Sequence, residues 1–281
     1  MSAWLSAEPF GWEDVVEEAL REDIGTGDVS ASAMPKGRIV EWYIEAQGSG
    51  VVSGMGIIEY LFQPDEEDEN IELLCGDSDP VVPGQIIAKG RLDASKALQY
   101  ERTALNFLMH MSGVATATSQ YVAAIAGTRA RIADTRKTLP SLRLLQKYAV
   151  RCGGGFNHRM GLYDAVMIKD NHIQASGSIT AAVAAVRSSI GHLLKIEVEC
   201  ETEDQVVEAI VCKSDVVMLD NMPPAAMAQI VHAHAGQAIF EASGGVNLSS
   251  VRAIAESGVD VISVGAITHS VVALPFHLEL R

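Results

Sequence analysis

From residue 128 onward, short β-branched runs alternate with helical stretches. The runs are ARIADT, DAVMIKD, LLKIEVEC, DVVMLDN, AIFEAS and DVISVG. The last four begin every 21 to 24 residues, the length of one strand, one helix and two tight loops. Intervening helices are predicted at about 178 to 190, 203 to 212, 223 to 235 and 249 to 257. Their starts carry the right chemistry: Thr202 is followed three residues later by Gln205, a capping box, and Pro223 and Pro224 suit a first turn. The arrangement favours a β/α barrel over a doubly wound sheet, and six evident strands leave its closure open.

Before residue 127 the pattern is that of a mixed α/β domain. A helix is predicted at 12 to 22, with strand-like runs near 37 to 46, 50 to 53, 70 to 75 and 85 to 91. A long helical region then covers 94 to 126, with Ser112-Gly113 as its candidate break. The resulting division is an N-terminal domain at 1–126, a barrel at 127–270, and a C-terminal segment, 271–281, packing back on the first domain.

Hydrophobic residues make up 48% of the 281, enough for a substantial core. The formal net charge of -15 and the absence of an extended basic stripe argue against nucleic acid as a partner. The cysteines at 75, 152, 200 and 212 form neither a disulfide framework nor a zinc signature. MSAWLSAEPF lacks the basic and apolar regions of a secretion signal, and no apolar stretch reaches membrane-spanning length. A cytoplasmic setting without a membrane partner is expected.

Within this acidic chain, residues 129 to 172 hold nine of the 21 Lys and Arg but only three of the 36 Asp and Glu. Such an island points to a focused cleft for a small, highly charged anion. Arg136-Lys137 and His158-Arg159 flank the run Gly153-Gly154-Gly155. Arginine offers a planar fork to carboxylate or phosphate, and lysine a compact point charge. The glycines permit either close approach of main chain to a ligand or a crowded turn.

Polar residues recur at the carboxyl ends of the predicted strands: Asp134, Lys169, Asp170, Glu197, Glu199, Asp220, Asn221, Glu241 and Ser243. In β/α barrels that edge is the catalytic face. Lys195, Glu197 and Glu199 alternate, so they share one side of their strand. Any one of these charges has a structural reading as part of an ion network. A whole ring of them does not, because desolvating many charges only to pair them returns little stability. Ser243-Gly244-Gly245 and Gly265 each follow a strand, where exposed amides can cradle phosphate. No P-loop, dinucleotide fingerprint or GxSxG elbow is present. Strand-end carboxylates suit Mg²⁺ carried by a phosphate substrate.

REDIGTGDVS (21 to 30), ERTALNF (101 to 107), SGVAT (112 to 116), DTRKT (134 to 138), KYAVRCGGGFNHRMGLYDAVMIKDNH (147 to 172), KIEVEC (195 to 200), VMLDNM (217 to 222), EASGG (241 to 245) and ISVGAITHS (262 to 270) occur in order along almost the whole chain. Through these runs the chain resembles the quinolinate phosphoribosyltransferase family. The resemblance implies an α/β protein with an N-terminal sandwich-like domain and an open or irregular α/β barrel of the type II phosphoribosyltransferase kind. It implies a homodimer with shared active sites, or a higher assembly. It also implies transfer from phosphoribosyl pyrophosphate (PRPP) to quinolinate with Mg²⁺, giving nicotinate mononucleotide, pyrophosphate and CO₂ in NAD biosynthesis.

Carried over motif by motif, Arg136, His158, Arg159 and Lys169 would hold quinolinate, with Arg102 reaching in from a neighbouring subunit. Lys137 would meet the pyrophosphate side of PRPP, and Ser243, Gly244, Gly245 and Gly265 its 5′-phosphate. Glu199 and Asp220 would address the ribose and the metal, and Lys137, Lys169, Glu199 and Asp220 form the expected catalytic set. Two stretches depart from the family pattern: Leu139-Pro140-Ser141 replaces the commoner Thr-Pro-Gly, and Met109-His110-Met111 a more usual Gln-containing segment. Competing readings are a relative from molybdenum-transport operons, a nicotinate-specific transferase and a non-catalytic anion sensor. The intact AVRCGGGFNHR and IKDNH runs and the paired carboxylates weigh against them.

Overall fold

A computed structural model describes residues 11–31, 37–65 and 67–281; the N-terminal stretch read above for a leader lies outside them. The chain divides into two compact units, and neither is one continuous segment. The first comprises 1–119, 138–154 and 270–281, the second 120–137 and 155–269.

The first unit opens with α1 (Trp12–Ile24), followed by β1 (Ile39–Ala46), β2 (Gly50–Val51), α2 (Met55–Leu61), β3 (Asn70–Leu73), β4 (Pro80–Val81) and β5 (Ile86–Asp93). The 31-residue α3 (Ala94–Ala124) comes next. Far along the chain, α4 (Arg143–Cys152) and β12 (Phe276–Leu280) also belong here. The main sheet has the order β12-β1-β5-β3, with β12 antiparallel to β1 from Trp42↔Leu280 to Ala46↔Phe276. Trp42, Ile44 and Ala46 alternate inward along β1 with negligible exposure, the period expected of a strand buried on one face.

Two helices of this unit that the sequence pattern does not show, α2 and α4, share a partner distant from both along the chain. Asp77 Oδ1 accepts the N–H groups of Gly54 at 2.8 Å and Met55 at 2.9 Å, so a distant carboxylate caps α2 in place of its own preceding residue. Tyr148 on α4 donates to the other oxygen of Asp77 at 2.6 Å. One half-buried carboxylate thus ties α2 and α4 together, in keeping with the grouping of 138–154 with the first unit instead of with the barrel.

The helix α3 is not broken at Ser112-Gly113. Gly113 is required by a close approach: a Cβ there would stand 2.4 Å from the Val272 carbonyl oxygen. Ser112 Oγ accepts the buried Ser53 N–H at 3.0 Å. Gly153 is crowded in the same way against Ala115 O on α3, at 2.3 Å, so the glycine run answers packing at this position. Ser141, in one of the two departures noted above, holds φ 64, the left-handed region that favours glycine.

The second unit is an open barrel. Its six parallel strands are β6 (Arg131–Ala133), β7 (Val166–Ile168), β8 (Ile196–Cys200), β9 (Val216–Asp220), β10 (Ile239–Ser243) and β11 (Val261–Ser263), in the order β6-β11-β10-β9-β8-β7. The first strand pairs with the last, Val261↔Arg131 to Ser263↔Ala133, and the sheet stays open between β6 and β7. The helices are α5 (Asp170–Ser176), α6 (Ile179–Ser189), α7 (Glu203–Val211), α8 (Pro224–Ala233), α9 (Val251–Glu256) and α10 (Ala266–His269). Thr202 and Gln205 form the capping box of α7, and Pro224 begins α8. Ile196, Val198, Val217, Leu219, Ala242 and Ile262 have no measurable exposure and supply the strands' share of the core. No described helix is long and apolar enough to cross a membrane.

Gly113→Val is expected to lower stability by about 1–3 kcal/mol, the usual cost of overpacking a filled site. Urea unfolding measures it; a variant as stable as the parent would contradict the close approach of Val272.

Candidate active site

All six strands of the barrel run the same way, so the segments that follow them emerge on one edge. There they enclose a cavity of ≈ 560 Å³, within the range that holds a small-molecule ligand. Thr135, Arg136 and Lys137 come from the segment after β6, and Lys169 follows β7. Glu199, Asp220 and Ser243 lie at the ends of β8, β9 and β10, with Asn221, Gly244 and Gly245 just beyond. His158 and Arg159 complete the charged wall.

The cations are arranged to be satisfied from outside. Arg159 donates through Nη1 to Ala165 O at 3.0 Å, while its Nε is buried without a hydrogen-bond partner. Burial and then the nearby Arg136 charge push its pKa down. Guanidinium does not lose its proton in this range, so two neighbouring positive charges persist, and an anion between them relieves their repulsion. Lys169 reaches Glu199 in an ion pair with its side chain still 44% exposed, which leaves the ammonium accessible to a ligand. Asp220 accepts from Asn221 Nδ2 at 2.7 Å. Asn221 takes φ 53 and Gly244 φ 93 where the two loops touch; a Cβ on Gly244 would stand 2.2 Å from Asn221 Oδ1.

Behind this wall His158, Glu197 and Glu241 form a buried cluster that the sequence reading did not assemble, although it noted both glutamates at strand ends. His158 Nδ1 accepts the Arg159 N–H at 2.8 Å, which puts the ring proton on Nε2. Nε2–H donates to Glu197 Oε2 at 3.0 Å, with Glu241 Oε1 3.6 Å away. The Oε1 atoms of both glutamates are buried without a hydrogen-bond partner. Burial, then the Glu197 charge, raise the Glu241 pKa to about 7. The three donor atoms lie within 4.8 Å of one another, a set able to hold a metal ion. Glu199 and Asp220 also present hard oxygen donors to the main cavity, which suits Mg²⁺ because that ion completes its shell with substrate phosphates and water.

The structure therefore gathers Arg136, Lys137, His158, Arg159, Lys169, Glu199, Asp220, Ser243, Gly244 and Gly245 around one cavity. Gly265 is not in its wall; it packs against the Lys137 stem. Arg102 is on α3 in the first unit, its side chain 62% exposed and 3.8 Å from Glu101. His172 accepts the Lys169 N–H at 3.0 Å and caps α5.

An open α/β barrel that collects four cations and two strand-end carboxylates at its carboxyl edge defines an enzyme acting on a small, multiply charged anion. Two family models match: "Quinolinate phosphoribosyl transferase, N-terminal domain" over residues 26–112 and its C-terminal counterpart over 114–279. The chain belongs to the quinolinate phosphoribosyltransferase family. It is 42% identical to a probable nicotinate-nucleotide pyrophosphorylase [carboxylating] of Bacillus subtilis, over 92% of this chain and 90% of that one. To the nicotinate-nucleotide pyrophosphorylase [carboxylating] of Mycobacterium leprae it is 39% identical, covering 95% and 96%. The crystal structure of NadC from Streptococcus pyogenes superposes with a TM-score of 0.93 at 35% identity, over 98% of each chain.

The raised Glu241 pKa has a consequence for stability. A carboxyl that holds its proton more tightly when folded contributes fully below its ordinary 4.5, and that contribution is lost as pH rises toward about 7. Urea titrations between pH 5 and 7.5 are expected to show stability falling more steeply in the parent than in Glu241→Gln. Parallel profiles would remove Glu241 as the titrating group.

Proposed function

We propose that the protein transfers the phosphoribosyl group of PRPP to quinolinate and decarboxylates the product, forming nicotinate mononucleotide, pyrophosphate and CO₂ in NAD biosynthesis. The observation that carries this reading is the convergence of the predicted dicarboxylate and phosphate groups on one cavity, in a chain of this family.

Arg136, Arg159 and Lys169 supply the positive charge for two adjacent carboxylates, and the guanidinium forks set the plane of the pyridine ring. His158 lines the same wall; since both its ring nitrogens have partners inside the protein, its part is to hold Arg159 and shape the pocket floor. Ser243, Gly244 and Gly245 offer a loop after β10 for the 5′-phosphate, and Lys137, whose stem borders Gly265, faces the pyrophosphate.

With the ring held, its nitrogen attacks the anomeric carbon of the ribose as the bond to pyrophosphate breaks. Positive charge grows on the sugar in that step, and Glu199 and Asp220 stabilise it. Glu199 and Asp220 would also hold Mg²⁺, which would supply positive charge to the pyrophosphate leaving group. The new pyridinium draws in the electron pair left when the carboxylate next to the nitrogen leaves as CO₂, and that ring carbon then takes a proton. No pyridoxal or flavin group is needed.

The assembly follows from the same reading: a homodimer, or a higher assembly, in which Arg102 of each chain completes its neighbour's site. A cytoplasmic location accords with soluble substrates.

Purified protein with Mg²⁺ and PRPP is expected to release CO₂ and mononucleotide with quinolinate and neither with nicotinate. Turnover of nicotinate without CO₂ would indicate the nicotinate-specific reaction, and binding without turnover an anion sensor. Mixing inactive Arg102→Ala with inactive Lys169→Ala is expected to recover up to about a quarter of parental activity, the share of sites in randomly mixed dimers that lack both lesions. No recovery in demonstrated mixed dimers would exclude a shared site.

A further inference from the structure

Lys137 is the cation assigned above to pyrophosphate, and it belongs to an irregular segment between β6 and α4. A long, flexible ammonium on such a segment is a poor catalyst unless its backbone is fixed. Three contacts fix it. Its N–H donates to Thr135 Oγ1 at 3.0 Å. Its carbonyl oxygen accepts from Thr268 Oγ1 at 2.8 Å, across 131 residues of chain. Its Cδ passes 3.2 Å from where a Cβ on Gly265 would be, and His269 Nε2 stands 3.0 Å from that same point.

These contacts follow from the sheet order. Because β6 pairs with β11, the segments after the first and last barrel strands emerge side by side. Val264 N–H donates to Ala133 O at 2.9 Å and carries that pairing one residue beyond the ladder. Thr268, on the short helix that follows, has no measurable exposure. Its hydroxyl also lies 3.1 Å from Gly265 O, so one group spans the turn and the Lys137 backbone.

We infer that Thr268 is a positioning residue for the transfer step, and that with Gly265 it forms the seat on which Lys137 is aimed at the pyrophosphate of PRPP. The His269 ring and the lysine stem together border the space that a side chain on Gly265 would fill. Thr268 touches no substrate; it acts through Lys137. The inference rests on the proposed reaction and adds a residue to it.

The test is steady-state kinetics of Thr268→Val, which keeps the shape and removes the hydroxyl, beside Thr268→Ser, which keeps the hydroxyl. Losing one buried hydrogen bond that positions a reacting group is expected to raise the KM for PRPP about tenfold while the KM for quinolinate stays within about twofold. Thr268→Ser is expected to restore most of that loss. In a Lys137→Met background, Thr268→Val is expected to add nothing further, since the two act on one contact. An unchanged PRPP KM, an equal rise for both substrates, no rescue by serine, or full additivity with Lys137→Met would each overturn the inference. Should Thr268→Val fail to fold, Gly265→Ala crowds both the lysine stem and the His269 ring and is expected to give the same split, a parental PRPP KM counting against the seat. A parent protein without quinolinate turnover would overturn the reaction instead, so the two failures are distinct.

Discussion

Everything in the catalytic unit depends on six strands running in one direction in the order β6-β11-β10-β9-β8-β7. Parallel strands deliver every following segment to the same edge. Residues scattered from 135 to 263 therefore become neighbours around one cavity. Antiparallel strands would have divided the same charges between two edges and left no common binding space.

The cavity is stable only because its charges are treated unequally. Glu199 and Asp220 meet partners at the rim, Lys169 and Asn221 respectively. Glu197 and Glu241 are buried behind the wall, each with an oxygen lacking a hydrogen bond. Burial of unpaired carboxylate oxygens is costly, and it raises the Glu241 pKa to about 7, so that a proton offsets part of the cost below neutral pH. In front, burial and then the neighbouring Arg136 charge depress the Arg159 pKa. Binding an anion is thus favoured by the repulsion it removes as well as by the contacts it makes.

Much of this was legible in the chain. The recurring βα spacing, the basic island and the polar strand ends each reported a local property, and all three survive in the fold. Of the alternating charges, Glu199 lines the main cavity, while Glu197 and the exposed Lys195 line a second one. Less was legible wherever partners are distant. The capping of α2 by Asp77, the placement of α4 with the first unit and the pairing of β12 with β1 depend on residues tens or hundreds of positions away. Gly113 looked like a break because a glycine within a helix lowers local propensity; its packing against Val272 overrides that preference. Gly265 was legible only as a glycine after a strand; that the stem of Lys137 and the ring of His269 border it was not.

The sequence by itself determined the class of architecture, the sign and location of the binding charge, and the family, because periodicity, composition and contiguous motifs are properties of neighbouring residues. Only the tertiary structure decided that the barrel stays open between β6 and β7, that His158 turns both nitrogens inward, and that Thr268 meets Lys137. Those outcomes follow from strand order and register, which bring together groups whose separation along the chain carries no trace of their contact.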